Sequence, residues 1–360
     1  MKAIVDATIL GKELKKISPV ICKNVIMPIL EHVLLKFNKK ELVLTGTDLN
    51  TTISIQMECD CKKEFTVVMV YADLCDICER SAGPITISNE EKIIRVSNDK
   101  ATFKLTKGGF PEEFPVIENA DYFNVVSVDG AFFYSLNGAN TCRSKNHMQS
   151  SLCNIGVDFN KTNLTVIGVD SFIMHKKEVP VSCKKNVVVA VESNFALLTK
   201  FFQDSTLSVS EKFIMAEYDK IKVISRLAEA PYCAYKSIIP ESIEYNFFVN
   251  RVDLMNNISM VGVTSERKSR SFVINFNKTG IKMASSDIDH GKESELEMIV
   301  EHTVDIPAIC LNGGQLLTVL GTVNCDNIKM CFSAHDRSVY IQPEDDDTTL
   351  LLIQPLLLNQ

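Results

Sequence analysis

The chain has 360 residues, 46% of them apolar and 23% charged, with a formal net charge of −7 at pH 7. These proportions are those of packed globular protein and exclude a disordered or fibrous chain. The longest apolar stretch, Leu350 to Ile353 and Leu356 to Leu358, is broken by Gln354-Pro355 and falls short of the roughly 18 residues of a membrane span. Met1 to Val5 reads as strand and lacks the apolar segment of a secretory signal, so a soluble, cytoplasmic protein is expected, its twelve cysteines kept reduced.

In chain order, one pattern runs three times. The first third opens with a helical stretch from Thr8 to Val20, Thr8 being placed to cap its first turn. Strands follow around the turn Asn38-Lys39-Lys40, with Leu42 and Leu44 inward and Val43 and Thr45 outward, and the run closes on Asp48. Phe65 to Val70 is a strand feeding a helix from Tyr71 to Arg80, and Ile85 to Ser88 forms a hairpin with Ile93 to Val96 across Asn89-Glu90-Glu91. The second third repeats this: a helix from Asp129 to Thr141 capped by Asp129, a turn at 160–163, a strand ending on Asp170, and the strand Val187 to Val191 before a helix from Glu192 to Phe202. Its hairpin is expected between Leu207 to Val209 and Ile221 to Ser225. The last third offers a helix from Arg251 to Val261, a turn at 277–280, a strand ending on Asp287, the strand Val304 to Ile309 before a helix from Asn312 to Leu320, and a hairpin of Ile328 to Phe332 with Ser338 to Ile341.

Asp48, Asp170 and Asp287 fall 122 and 117 residues apart, and Leu74, Phe195 and Leu316 fall 121 apart each time. A period near 120 is a folded domain and not a solenoid tile. Breaks near Glu118 to Asp121 and near Pro240 to Tyr245 set three α+β domains with antiparallel strands, 1–119, 120–242 and 243–360.

Catalytic chemistry is not legible. No phosphate loop, dinucleotide fingerprint, metalloprotease motif or nucleophile elbow occurs, and Gly108-Gly109 and Gly313-Gly314 read as turn and helix-start glycines. His32, His147, His175, His290, His302 and His335 lie far apart, without patterned partners, and read as surface or satisfied core histidines. The three aspartates at strand ends suit turn hydrogen bonding. Cys59, Cys61, Cys75 and Cys78 have the only spacing that could hold a zinc ion. Cys75 and Cys78, three apart on a helix beside Leu74 and Ile77, read instead as small buried apolar groups. No metal or cofactor is expected, and the repeated architecture argues for binding rather than catalysis.

Lys15-Lys16-Ile17-Ser18-Pro19-Val20, Met27-Pro28-Ile29-Leu30-Glu31-His32 and Leu44-Thr45-Gly46-Thr47-Asp48-Leu49 closely resemble the first domain of the bacterial DNA polymerase III beta sliding clamp family. Phe110-Pro111-Glu112-Glu113-Phe114-Pro115 is similar to that domain's end, and Arg226-Leu227 with Tyr232, Tyr235 and Ile238-Ile239-Pro240 to the end of the second. The tail Leu352 to Leu358 resembles the family's apolar C-terminus. The resemblance implies three clamp domains, each with antiparallel sheets outside and two helices inside, and a head-to-tail homodimer closing into a ring around duplex DNA. Such heterologous contacts close without leaving a free end. It further implies a processivity factor, not an enzyme, that tethers the DNA polymerase III catalytic subunit, the clamp loader and repair proteins through short linear motifs. The alternative is a clamp-fold interaction protein that binds partner peptides without encircling DNA.

Carried onto this sequence, the resemblance puts DNA-facing groups at Lys12, Lys15, Lys16, Lys23, Asn24, Arg143, Lys145, Lys200 and Arg251. A net negative charge is compatible with that, because an encircling ring needs only weak, mobile phosphate contacts. A hydrophobic partner-peptide cleft is implied at Leu152, Val169, Ser171, Phe172, Ile173, Met174, Ile238, Asn312, Gln315, Ser338, Ile353, Gln354, Pro355, Leu356 and Leu357. The bland reading of the last five is a final strand packed in its own core. The dimer junction is implied at Asp73, Ile77, Lys100, Phe103 and Leu105 on one side and Met260, Val261, Glu293, Glu295 and Glu297 on the other. Three departures stand out. The family's Thr-Asp-Gly-His-Arg-Leu reads Val169-Asp170-Ser171-Phe172-Ile173-Met174, an arginine before Pro-Ile-Leu reads Asn24, and a Tyr-Pro pair reads Tyr232-Cys233.

Overall fold

Twenty-six strands and six α-helices build the described part of the chain, residues 1–23, 26–117, 120–146, 148–239, 243–303 and 306–357 of a computed structural model. The first third supplies β1 (Lys2–Asp6), α1 (Ala7–Ile17), β2 (His32–Phe37), β3 (Glu41–Thr47), β4 (Thr51–Glu58), β5 (Asp60–Cys61), β6 (Phe65–Val70), α2 (Tyr71–Glu79), β7 (Pro84–Asn89), β8 (Ile93–Ser97) and β9 (Thr102–Thr106). The second supplies β10 (Asn124–Val128), α3 (Gly130–Cys142), β11 (Ile155–Phe159), β12 (Asn163–Val169), β13 (Ile173–Pro180), β14 (Val187–Val191), α4 (Ser193–Thr199), β15 (Ser205–Val209), β16 (Phe213–Tyr218) and β17 (Ile221–Arg226). The last supplies β18 (Tyr245–Asn250), α5 (Arg251–Val261), β19 (Ser271–Asn277), β20 (Gly280–Asp287), β21 (Lys292–Ile299), β22 (Glu301–His302), β23 (Ile309–Asn312), α6 (Gly313–Leu320), β24 (Asn327–Phe332), β25 (Val339–Pro343) and β26 (Thr349–Ile353).

The chain divides into two compact units, and the middle third is shared out between them. Residues 1–133 and 191–227 form the first unit. It holds a five-stranded sheet, β5-β1-β7-β8-β9, and an eight-stranded sheet, β10-β15-β16-β17-β4-β3-β2-β6. Apolar residues recur on α1 at helical spacing, so Ala7, Leu10, Leu14 and Ile17 form one fully buried stripe. Phe37 stacks on Phe65 at 4.5 Å between ring centroids.

Residues 134–190 and 228–360 form the second unit, with a nine-stranded sheet, β14-β11-β12-β13-β26-β25-β24-β18-β22, and a four-stranded sheet, β21-β20-β19-β23. Its main core joins Phe247, Leu254, Ile258, Phe272, Leu316 and Leu320, among others, and a smaller apolar cluster joins Ile167, Val169, Met174, Tyr235, Tyr340 and Leu352. None of the helices among the described residues is long and apolar enough to cross a membrane.

Several local expectations need correction. The cap of α1 is Asp6, whose Oδ1 accepts from Thr8 N and Ile9 N. A carboxylate two residues earlier reaches the free N–H groups that Thr8, already helical, cannot. The helix also stops at Ile17, because Pro19 forces a separate 3₁₀ turn over Ser18–Val20. Asp129 does cap α3, accepting from Phe132 N at 3.3 Å. In the second repeat β15 pairs with β16 and β16 with β17, so Leu207–Val209 has Phe213–Tyr218 as its hairpin partner, not Ile221–Ser225. The intervening strand reads Phe-Ile-Met-Ala-Glu-Tyr, apolar but for Glu217, and lacks the period-2 alternation that marks a half-buried strand. Thr45 is buried, where its hydroxyl lies 3.2 Å from Ser54 Oγ. The strand expected over Val304 to Ile309 runs as β23 instead, and residues 304 and 305 lie outside the described residues. Asn119 and Ser242, where the domain boundaries were set, also lie outside them, as do His147 and Leu358.

Candidate functional site: an apolar cleft, two free sheet edges and a helix set

The turn between β12 and β13 is built by Asp170, and it aims the cleft residues. Asp170 Oδ1 accepts from Phe172 N and Ile173 N, both at 2.7 Å, while Asp48 and Asp287 make the same kind of turn in the other repeats. The hydroxyl of Ser171 accepts from Gln149 Nε2 at 2.8 Å, and Gln149 Oε1 accepts in turn from Ser144 Oγ. These bonds fix the loop that turns Phe172 outward, half of its surface in solvent.

Leu152, Val169, Ser171, Phe172, Ile173, Met174, Ile238 and Gln354 line one open cleft of about 330 Å³, joined by Asp170, Cys233 and Leu352, which the sequence reading missed. Asp170 was legible as a turn acid but not as the one charged side chain among the described residues that line the cleft. The wall carrying Cys233 and Ile238 is pinned from behind. Tyr232 OH donates to Ile167 O at 3.0 Å, with its ring against Gly156, and Tyr235 OH donates to the buried Asp158 carboxylate at 2.8 Å. Burial pushes the Tyr232 and Tyr235 phenols well above the usual range and raises the Cys233 thiol too.

The remaining positions assigned to the cleft do other work. Ile353 is fully buried and pairs with Val339 and Ile173, so the last strand does pack in its own core. Asn312 caps α6 by accepting from Gln315 N and donating to Ser269 O. Ser338 precedes β25, and Gln315 lies in the first turn of α6. Beyond β26, Pro355 and Leu356 are half-buried, with Leu356 N donating to Cys310 O, and Leu357 is exposed.

Of the positions assigned to the junction, Phe103 and Leu105 lie on β9, the edge of the five-stranded sheet, and Glu293, Glu295 and Glu297 lie on β21, the edge of the four-stranded sheet. Both strands alternate, burying one face partly and exposing the other. Lys100 is exposed in the turn before β9, Asp73 is exposed on α2 and Ile77 is buried there, while Met260 is exposed and Val261 buried at the end of α5.

The cations assigned to DNA divide sharply. Lys12, Lys23, Lys145 and Lys200 are exposed. Lys15 pairs with Glu79 at 3.0 Å, and Lys16 pairs with Glu13 at 2.8 Å with its ammonium 5.4 Å from the Phe201 ring. Arg251 donates to Cys325 O and Leu320 O, tying α5 to the end of α6, and Arg143 donates to Asn140 Oδ1 and Ser144 O. Asn24 lies outside the described residues. The six α-helices carry four cations (Lys12, Lys15, Lys16, Arg251) and five carboxylates (Glu13, Asp73, Asp76, Glu79, Asp253).

Groups of three or more His, Cys, Asp or Glu able to hold a metal ion are absent from the described residues. Cys61 Sγ donates to Lys63 O and Cys78 is buried against Gly11, and burial pushes the Cys59 thiol up to about 11 and that of Cys78 up to about 12. His175 is a satisfied core histidine, its ring nitrogens 3.1 Å from Ser135 Oγ and 3.0 Å from Thr322 Oγ1.

Residues 1–118 match the family described as DNA polymerase III beta subunit, N-terminal domain, and residues 236–356 match the DNA polymerase III beta subunit, C-terminal domain. Among curated proteins, the chain is 23% identical to the beta sliding clamp of Vibrio cholerae over 99% of this chain and 100% of that one, and 22% identical to the beta sliding clamp of Buchnera aphidicola over the same shares. Among solved structures, the DnaN sliding clamp of Pseudomonas aeruginosa bound to griselimycin superposes with a TM-score of 0.93 at 20% identity, covering 99% of this chain and 100% of that one. The DNA polymerase III beta subunit of Thermotoga maritima gives 0.90 at 18% identity, covering 99% of each.

Proposed function

The chain belongs to the DNA polymerase III beta subunit family, the sliding clamps, and on that premise we propose that two copies join head to tail into a ring around duplex DNA. As a family member it is a non-catalytic processivity factor of DNA replication. In the proposed ring each copy contributes three clamp domains, 1–119, 120–242 and 243–360, with the free edges β9 and β21 extending one sheet across each junction. Exposed Lys12, Lys23, Lys145 and Lys200 make the phosphate contacts, while Lys15, Lys16 and Arg251 keep their structural partners. The cleft around Phe172 takes a short, largely apolar peptide from the polymerase catalytic subunit, the clamp loader or repair proteins, in the cytoplasm where replication proceeds.

The observation that carries this reading is the likeness to sliding clamps along 99% of this chain and 100% of theirs. The test is retention on DNA. Loaded by the cognate loader onto nicked circular DNA, the protein is expected to stay bound and to be lost once the circle is linearised. A protein that remains monomeric and never loads would refute it, and peptide affinity without retention on the circle would select the interaction-protein alternative.

A further inference from the structure

The three repeats close corresponding strands on an aspartate, and what meets its second carboxylate oxygen differs among them. In the first, Asp48 Oδ1 accepts from Asn50 N and Thr51 N, and Oδ2 accepts from Asn194 Nδ2 at 2.6 Å. In the third, Asp287 Oδ1 accepts from His290 N, and Oδ2 lies 2.9 Å from Nδ1 of the His290 ring. In the second, Asp170 Oδ1 accepts from Phe172 N and Ile173 N, and neither a donor nor a cation among the described residues reaches Oδ2. The turn uses half of this carboxylate and leaves the other half open.

Asp170 is half-buried and lines the cleft beside Leu152, Phe172, Met174 and Ile238. The described groups around it do not answer its charge. The Ser171 hydroxyl is engaged by Gln149, Gln354 N donates to Phe172 O at 2.8 Å, and Lys236, just before the Ile238 wall, pairs with the buried Asp158 at 3.2 Å. No arginine, lysine or histidine is among the described residues that line the cleft. The charge of Asp170 is felt at the fully buried Cys142, where it adds to burial in raising the thiol to about 12. A wholly apolar segment laid over the cleft would strip water from Oδ2 and return no hydrogen bond, which is costly for a carboxylate. A segment that brings an ammonium or guanidinium there restores the bond and adds attraction, and one that brings a carboxylate is repelled.

We infer that Asp170 sets the specificity of the cleft: its preferred occupant is a short apolar segment carrying one lysine or arginine against Oδ2, and the same segment with an acid at that position is rejected. The inference rests on the reading above that the cleft takes a peptide, and adds the charge of that peptide. Discrimination comes as much from the penalty on the acidic segment as from the gain on the basic one. The methylene stem of a lysine or arginine suits the apolar wall of Phe172 and Met174 beside that oxygen. The repeats explain why this aspartate reads charge and its two counterparts do not, since those engage their second oxygen within the fold, with Asn194 and His290.

The test uses the full-length protein and capped pentapeptides of leucine and phenylalanine, labelled with an uncharged dye, in which one position, taken in turn, is lysine, glutamine or glutamate. At the preferred position, fluorescence anisotropy is expected to give lysine a dissociation constant about tenfold below that of glutamine, with glutamate weaker still and the gap narrowing as salt is raised. Asp170→Asn keeps the Oδ1 acceptor and with it the turn, so its Tm should match wild type while the three peptides bind alike. Phe172→Ala should instead weaken all three together. A wild-type protein that binds none of the peptides would overturn the cleft reading itself. Peptides bound with lysine no better than glutamine, or a lysine preference that survives in Asp170→Asn, would overturn the selection by Asp170 alone. If that variant does not fold, the wild-type salt series decides, because a lysine preference that fails to shrink with salt overturns the inference as well.

Discussion

Gly168→Ala should be among the most damaging conservative changes in the second unit. Gly168 lies on β12, and a Cβ built there would sit 1.8 Å from the carbonyl oxygen of Ala139 and 2.4 Å from its carbon, on the backbone of α3. Real Cβ contacts are essentially never shorter than 3.0 Å, and the obstacle cannot rotate away as a side chain would. The helix has to withdraw, and one turn before the contact it carries Ser135, whose hydroxyl is bonded to the ring of buried His175. Overpacking costs about 1–3 kcal/mol, and loss of a buried hydrogen bond adds roughly 1 kcal/mol, so about 3 kcal/mol in total is expected. For a unit of this size that corresponds to a drop in Tm of roughly 6–12 °C. Thermal unfolding followed by circular dichroism measures it, with Gly262→Ala as the control, since open space surrounds that position and its φ of −61° suits alanine. A Gly168→Ala protein that melts within about 2 °C of wild type, a small fraction of the shift worked out above, would refute the reasoning.

Three further outcomes are expected. Phe172→Ala should weaken binding of a fluorescent partner peptide at least tenfold while leaving Tm unchanged, because the ring is half exposed and forms the cleft's outer wall. Burial lowers the pKa of His175 to about 4, with Lys177 opposing and Asp346 favouring protonation. The unfolded state therefore binds the extra proton first, and stability falls as pH drops from about 6.5 toward 4, by up to about 3 kcal/mol. Urea midpoints at pH 7 and pH 5 should separate in wild type and converge in His175→Gln. That window stays above the one in which Asp346, whose carboxyl the Lys177 ammonium and two threonine hydroxyls hold well below its usual value, loses its contribution. Lys12→Ala should reduce the salt slope of DNA retention by about one phosphate contact, whereas Lys15→Ala and Lys16→Ala, which remove paired ammonium groups, should leave it within error.

The repeat, the helices and the turn acids were legible because each rests on local chemistry: 3.6-residue apolar spacing on α1, alternation in β3, and an aspartate able to accept two successive N–H groups at 48 and 170. The cleft run Val169 to Met174 was located through the resemblance to the clamp family, and only its turn acid, Asp170, was legible from local chemistry. What escaped depends on contacts distant in sequence. Nothing local tells Arg251, bound to carbonyls about seventy residues away, from a lysine free to meet phosphate. Nor does anything near Ile353 reveal that its neighbours on either side, Ile173 and Val339, close over it. Cys233 entered the cleft only because Tyr232 and Tyr235 pin their segment onto β11 and β12.

The way the middle third is divided has a consequence for synthesis. Strand β4 lies between β3 and β17, so the eight-stranded sheet of the first unit cannot close until residue 226 has been made, although β6 is finished by residue 70. At the usual pace of translation that is a wait of roughly ten to thirty seconds, during which β4 presents a bare edge. Strand β13 waits likewise for β26, the last strand among the described residues. Nascent chains of this protein therefore carry open strand edges through most of their elongation, and a stop codon placed at either repeat boundary would release a fragment with a raw sheet edge, prone to aggregate, rather than a smaller clamp.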